Sequence, residues 1–186
     1  MNPWKTKHFI LAGILAAATF AAAFGLGAGI IMATGIPATG GIASIFAATL
    51  LIIIGMKIAP RFGFATLTVG LVFTLAIPTI IGGPPGIHKI VNGLLIGLVM
   101  DIVALLGRRT RVAYILAGSL GAMTSILSVY AALVLLRLPG VDRLRPLLPV
   151  LTILQGVMGA LAGWVGIFLF EQRLKKLEAV RRIMAD

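Results

Sequence analysis

The sequence predicts an all-α integral membrane protein with six transmembrane helices, both termini in the cytoplasm, and a C-terminal amphipathic cytoplasmic helix. Three observations predict it. Hydrophobic residues make up 60% of the chain and mean hydropathy is +1.12, far outside the range of soluble proteins. The apolar residues form six continuous segments, 9–32, 40–56, 62–81, 90–106, 112–136 and 147–170, and a helix needs about 20 such residues to cross about 30 Å of hydrocarbon. Finally, the basic residues gather at alternate segment ends. Lys5 and Lys7 precede the first; Lys57 and Arg61 separate the second and third; Arg108, Arg109 and Arg111 separate the fourth and fifth; Arg173, Lys175, Lys176, Arg181 and Arg182 follow the sixth. Only Lys89, Arg137, Arg143 and Arg145 fall on the other side. Cytoplasmic loops favour Lys and Arg, so the crowded side is the expected inside.

The six segments consume nearly all of residues 1–186, leaving one domain and no soluble module. Segment one has a basic start and a small-residue site at Ala21, Ala22 and Ala23, as a secretory signal has. Its apolar run continues to Met32, so a first transmembrane helix is expected instead. The loop 34–41, TGIPATGG, joins segments one and two outside. Pro60 marks the next inside turn, and GGPPG at 82–86 ends segment three. Such Gly and Pro clusters are helix stops. The loop 138–146 lies outside and is the longest. In the tail 171–186, Leu174, Leu177, Val180 and Met184 recur at helical spacing. Glu171 with Lys175, and Glu178 with Arg182, stand at i,i+4. Segment six is therefore expected to continue as an amphipathic helix on the inner leaflet.

Segment one carries small residues at every fourth position: Gly13, Ala17, Ala21, Gly25 and Gly29. Such a stripe lets another helix approach closely. It fits either internal packing or a docking surface for another membrane subunit, and the general richness of membrane helices in Gly and Ala favours the first. Segments five and six carry similar stripes, with Gly118 and Gly121 in one and Gly156, Gly159, Gly163 and Gly166 in the other.

The polar residues within the segments share a depth. His88, Lys89 and Asn92 open segment four within an arc of about 100°. Ser125 and Ser128 end segment five, and Thr152 and Gln155 begin segment six. All fall in the outer half, which predicts a small polar cavity open to the outside. Asn92 and Gln155 weigh most, because a primary amide in an apolar surround needs several partners. Asp101 is the one acid inside a segment, and an ion pair with Arg108 or an interfacial position is expected for it.

The charge of +11 is largely placed in short loops that orient helices, which argues against nucleic acid as partner, while the basic tail meets anionic lipid. Zero cysteines exclude thiolate chemistry. His8 and His88 lack metal-ligand spacing, so no metal or cofactor is expected. His88 and Asp101 lie about 20 Å apart along one helix, too far to cooperate as acid and base, so no enzyme is expected. No phosphate-cradling loop supplies an energy source.

Two segments carry a family likeness: the stripe at Ala17 and Ala21, and GGPPGIHKIVNGLLIGLVMD at 82–101. With size, helix number and topology, they make the chain resemble the substrate-binding S component of energy-coupling factor transporters. The resemblance implies a multi-pass protein of the cell membrane that binds one small water-soluble nutrient of the vitamin class near the outer surface. Its partners would be a transmembrane coupling subunit and two cytoplasmic ATPase subunits. It places substrate binding at His88, Lys89, Asn92, Ser125, Ser128, Tyr130, Thr152 and Gln155. Docking falls to Gly13, Ala17, Ala21 and Gly25, reversing the order of the two readings of that stripe. Thr34, Pro37 and Thr39 take the position of a lid. Excess outer charge at Lys89, Arg137, Arg143 and Arg145 leans towards an anionic nutrient. The competing reading is a self-contained homo-oligomeric channel or facilitator.

Overall fold

The structure, a computed structural model, describes residues 4–34, 37–79, 85–137 and 141–184, with side chains except at 34, 37–40, 143 and 144. Apolar runs without internal breaks become helices: α1 (Thr6–Thr34), α2 (Pro37–Ile58), α4 (His88–Leu106), α5 (Arg111–Leu135) and α7 (Leu148–Gln172). A helix satisfies its own backbone, which a lipid environment requires. These five are long and apolar enough to cross a membrane. Their outward faces are apolar too, with Ile14, Leu98, Leu116 and Leu161 exposed. The short α3 (Phe64–Leu75), α6 (Val141–Leu144) and α8 (Glu178–Met184) complete the chain. Among the described residues there is no strand.

The helices close a ring in which α1 packs on α2, α2 on α7, α7 on α5, α5 on α4, α4 on α3, and α3 back on α1. One half of the ring is filled by a core that includes Ala12, Ile53, Met56, Phe64, Met100, Tyr114 and Ile167. The first and last described stretches of the chain meet at that filled end. Lys7 Nζ donates to the Arg182 carbonyl at 3.2 Å, and Trp4 stacks on Phe64.

The glycines of α5 and α7 seat these two helices on each other. A Cβ at Gly159 would lie 2.3 Å from the Gly118 carbonyl oxygen, and one at Gly118 2.5 Å from that of Gly159. The stripe on α1 is a different object. Ala17 and Ala21 are exposed, and among the described residues nothing lies within 4 Å of a Cβ built at Gly13, Gly25 or Gly29. The inward face of α1 is a second small-residue line, Ala12, Ala16, Thr19, Ala23 and Gly27. Internal packing, the expectation from composition alone, is thus not what the outer stripe does. Gly159→Leu is expected to lower stability by more than about 3 kcal/mol, since overpacking against backbone has no flexible side chain to yield. Gly25→Leu is expected to change it by less than about 1 kcal/mol. Thermal unfolding of both variants in the same detergent checks the contrast.

Segment three departs from expectation. It was to span 62–81, but α3 has 12 residues, about 18 Å of helix. Pro78 explains the stop: it lacks an N–H and disfavours helix at the residue before it. The chain turns over Ala76–Thr79, with Thr79 N–H donating to the Ala76 carbonyl at 2.9 Å. Both ends of this short helix are held by charges on α4. Asp101 accepts from the backbone N–H of Ala65 at 3.3 Å and of Thr66 at 2.9 Å, and from Thr66 Oγ1 at 2.7 Å. Lys89 Nζ donates to the carbonyls of Ala76 at 2.9 Å and Thr79 at 2.6 Å. The signs match the helix dipole: carboxylate at the N-terminus, ammonium at the C-terminus. Lys89, Gly93, Gly97 and Asp101 recur every fourth residue, so one face of α4 carries both charges and the glycines between them. A Cβ at Gly97 would stand 2.4 Å from Thr66 Cα; the glycine lets the backbones touch while the charges reach round. Asp101 is therefore a helix cap, and its expected pairing with Arg108 is replaced by these bonds.

The tail also differs from the expected continuous helix. Leu177 is extended (φ −70°, ψ 131°) between a 3-10 turn, Leu174–Lys176, and α8. This bend lays Val180 on Ile54, Ile58 and Phe170. Glu178 pairs with Arg182 as expected. Glu171 instead takes Arg111 of α5, at 2.6 Å from Nη2 and 3.0 Å from Nε.

Candidate functional site

The open half of the ring holds a cavity of about 570 Å³. Six helices line it: α1 with Thr19, Phe24 and Gly27; α2 with Ser44 and Thr49; α3 with Phe73; α4 with Ile96 and Met100; α5 with Gly121 and Ser125; α7 with Gln155. The volume suits a vitamin-sized ligand. Its wall is mainly apolar, and among the described residues no charged side chain lines it.

Two lining residues hold unpaired buried atoms, Thr19 Oγ1 and Gln155 Oε1. They come from α1 and α7. A buried polar atom without a partner costs about 1–3 kcal/mol, so each is an invitation to a ligand. Gln155 Oε1 calls for a donor, an N–H or O–H; the Thr19 hydroxyl takes either role. The other hydroxyl with a described partner is engaged: Ser44 Oγ donates to the Ala23 carbonyl at 2.7 Å and ties α2 to α1.

The residues expected to bind substrate divide into several groups. Ser125 and Gln155 line the cavity. Asn92 is buried with its Nδ2 unpaired, but it does not line the cavity. Lys89 is fully buried and its ammonium caps α3. Ser128 donates to the Ser125 carbonyl at 3.0 Å, and Thr152 to that of Leu148 at 2.7 Å. Both are local backbone bonds of a kind that takes up a hydroxyl within its own helix. His88 and Tyr130 are half-buried and lie off the cavity wall. The expected lid falls on Thr34, at the end of α1, and Pro37 and Thr39, in the first turn of α2. Their side chains lie outside the described ones.

Sequence reasoning missed Thr19, Ser44 and Thr49. The signal for Thr19 was present: it stands about 200° from Ala17 around α1, on the face opposite the outer stripe. The apolar wall left no signal, because an apolar cavity wall and an apolar packing face use the same residues.

Against models of known protein families, curated proteins and solved structures, the chain finds no match.

Proposed function

We propose that this protein is a membrane-embedded binding subunit for a small nutrient, acting with a separate transmembrane coupling subunit and ATPases, as its resemblance to S components implies. The single observation that carries the reading is the cavity: enclosed by six helices, ligand-sized, and holding two unpaired polar atoms, one from α1 and one from α7. The packed core beyond Met100 argues against a channel, since it fills the other half of the ring. The exposed stripe on α1 is the surface for the coupling subunit. In this reading the filled, basic end faces the cytoplasm, α3 belongs to the sixth crossing, and the cavity opens outward.

The cavity also revises the substrate class. An anionic nutrient was suggested by outer basic residues, yet Lys89 is committed to α3 and among the described residues no cation lines the wall. An uncharged, mostly apolar molecule with at least one N–H or O–H donor fits better, because burying an unpaired charge there would be prohibitive. Mass spectrometry of small molecules released from the purified protein tests this. An uncharged compound at near-stoichiometric yield is expected; a polyanion, or binding only in the presence of partner subunits, would overturn it.

Gln155→Met gives a sharper check. Met conserves volume and removes the unpaired acceptor, so the empty protein is expected to be as stable as the parent or more so. Affinity for the co-purified ligand is expected to fall about five- to 150-fold, the loss of about 1–3 kcal/mol. Isothermal titration and thermal unfolding read the two opposite signs. Affinity within about twofold of the parent would remove Gln155 from the site.

A further inference from the structure

The filled end of the ring carries a second pocket, of about 460 Å³, that the transport reading does not use. Lys57 closes α2, Arg111 and Tyr114 open α5, Glu171 stands at the end of α7, Lys175 in the 3-10 turn after it, and Arg109 reaches in from the α4–α5 turn. Four cations thus face one carboxylate. Glu171 is already committed to Arg111, and Lys57 stands at 3.9 Å from it. The Lys57 ammonium is also held 4.9 Å from the centre of the Tyr114 ring, which fixes its position without neutralising it. Among the described residues, Arg109 and Lys175 have no ion-pair partner.

The backbone beneath the pocket points the same way. Arg108 and Arg109 are consecutive left-handed residues, φ 50° and 56°, in a region that L side chains rarely adopt. Gly107 next to them keeps an ordinary φ of −79°. The turn is held by the Arg109 N–H donating to the Ala104 carbonyl at 2.8 Å. Its result is that Arg108 stays exposed while Arg109 is drawn in, half-buried, over the pocket. Strain kept at a cation is a pointer to function. Like charges gathered without counter-charge repel one another, and an anion relieves that repulsion.

We propose that this pocket binds a phosphate ester, with Arg109 and Lys175 as the principal contacts and Lys57 behind them. Phe170, Met184 and Pro60 supply apolar walls beside the cations, a mixture that suits the headgroup and glycerol of an anionic phospholipid. Basic pockets between transmembrane helices recognise such headgroups. A free phosphate shares the chemistry of the headgroup, and the experiment separates the two.

Delipidated full-length protein in a nonionic detergent is titrated with phosphatidylglycerol, with phosphatidylcholine, and with inorganic phosphate, and read by native mass spectrometry and thermal midpoint. One equivalent of phosphatidylglycerol is expected to bind in preference to phosphatidylcholine. The dissociation constant is expected to rise about fivefold in Arg109→Gln and in Lys175→Gln, the loss of one cation each. Arg181→Gln, a tail cation outside the pocket, is expected to bind like the parent. Lys175 is exposed, so its variant tests the site even if Arg109→Gln folds poorly. Displacement of the lipid by millimolar phosphate would identify free phosphate as an occupant and still support the site. Equal weakening by Arg181→Gln would reduce the pocket to diffuse basic charge and overturn the proposal. So would pocket variants that bind phosphatidylglycerol normally while losing association with another membrane protein. None of these measurements requires transport or the upper cavity to be occupied.

Discussion

Asp101→Ala is expected to destabilise the fold by about 3 kcal/mol or more, the cost of leaving three donors without their acceptor at about 1–3 kcal/mol each. The carboxylate serves three donors at once, two backbone N–H groups and the Thr66 hydroxyl. Alanine leaves all three unpaired where no water replaces it. Asp101→Asn keeps an acceptor but loses the charge that complements the α3 dipole, so an intermediate loss is expected. Glu178→Ala is the control. Its partner Arg182 is four residues away on the surface, where such a pair contributes about 0.5 kcal/mol or less. Urea or thermal unfolding in detergent ranks the three variants. If Asp101→Ala unfolds with the same midpoint as Glu178→Ala, the cap is not what holds α3.

The largest functional effect is expected from Ala17→Trp. The side chain points away from the ring and meets no atom of this chain's core, so folding and ligand affinity are expected to stay within about twofold of the parent. Energised uptake in cells that supply the coupling and ATPase subunits is expected to fall by at least about tenfold, because an indole holds apart two helices that small residues allow to touch. Ala16→Trp, one residue away, gives the reverse. Ala16 is buried, so this variant is expected to lose folding as well as uptake. Unimpaired uptake by Ala17→Trp would dissociate the stripe from docking, whereas joint loss of binding and uptake would return it to internal packing.

The long helices were legible in the sequence because an unbroken apolar run of about 20 residues has few other uses. Segment three was misread for the same reason. Hydropathy adds up composition, and Pro78 is only one residue in twenty, but it is the one that cannot continue the hydrogen-bond ladder. The candidate site was legible in depth and not in direction. Of Ser125, Ser128, Thr152 and Gln155, only Ser125 and Gln155 line the cavity. The others are turned to their own backbones, a choice that spacing alone does not reveal. Lys89 was read as an outer, substrate-binding cation; its actual partners are main-chain carbonyls, which carry no residue signature. In the tail, i,i+4 spacing favoured Glu171 with Lys175. The actual partner, Arg111, is brought there by the meeting of α5 and α7, a long-range event.

The clasp between α3 and α4 has a consequence for how the protein is made. A helix of 12 residues is too short to settle across a bilayer unaided. Its neighbour α4 is long enough, but as a lone segment it would carry an aspartate into lipid and a lysine at its edge, charges that are costly there unless they are paired. Neither segment is a good passenger by itself. Together, the short helix offers its two ends as the counter-charges that the long one lacks, and the long one supplies the reach. Biogenesis should therefore treat them as a single hairpin, with α3 retained near the insertion machinery until α4 emerges and both move into the lipid at once.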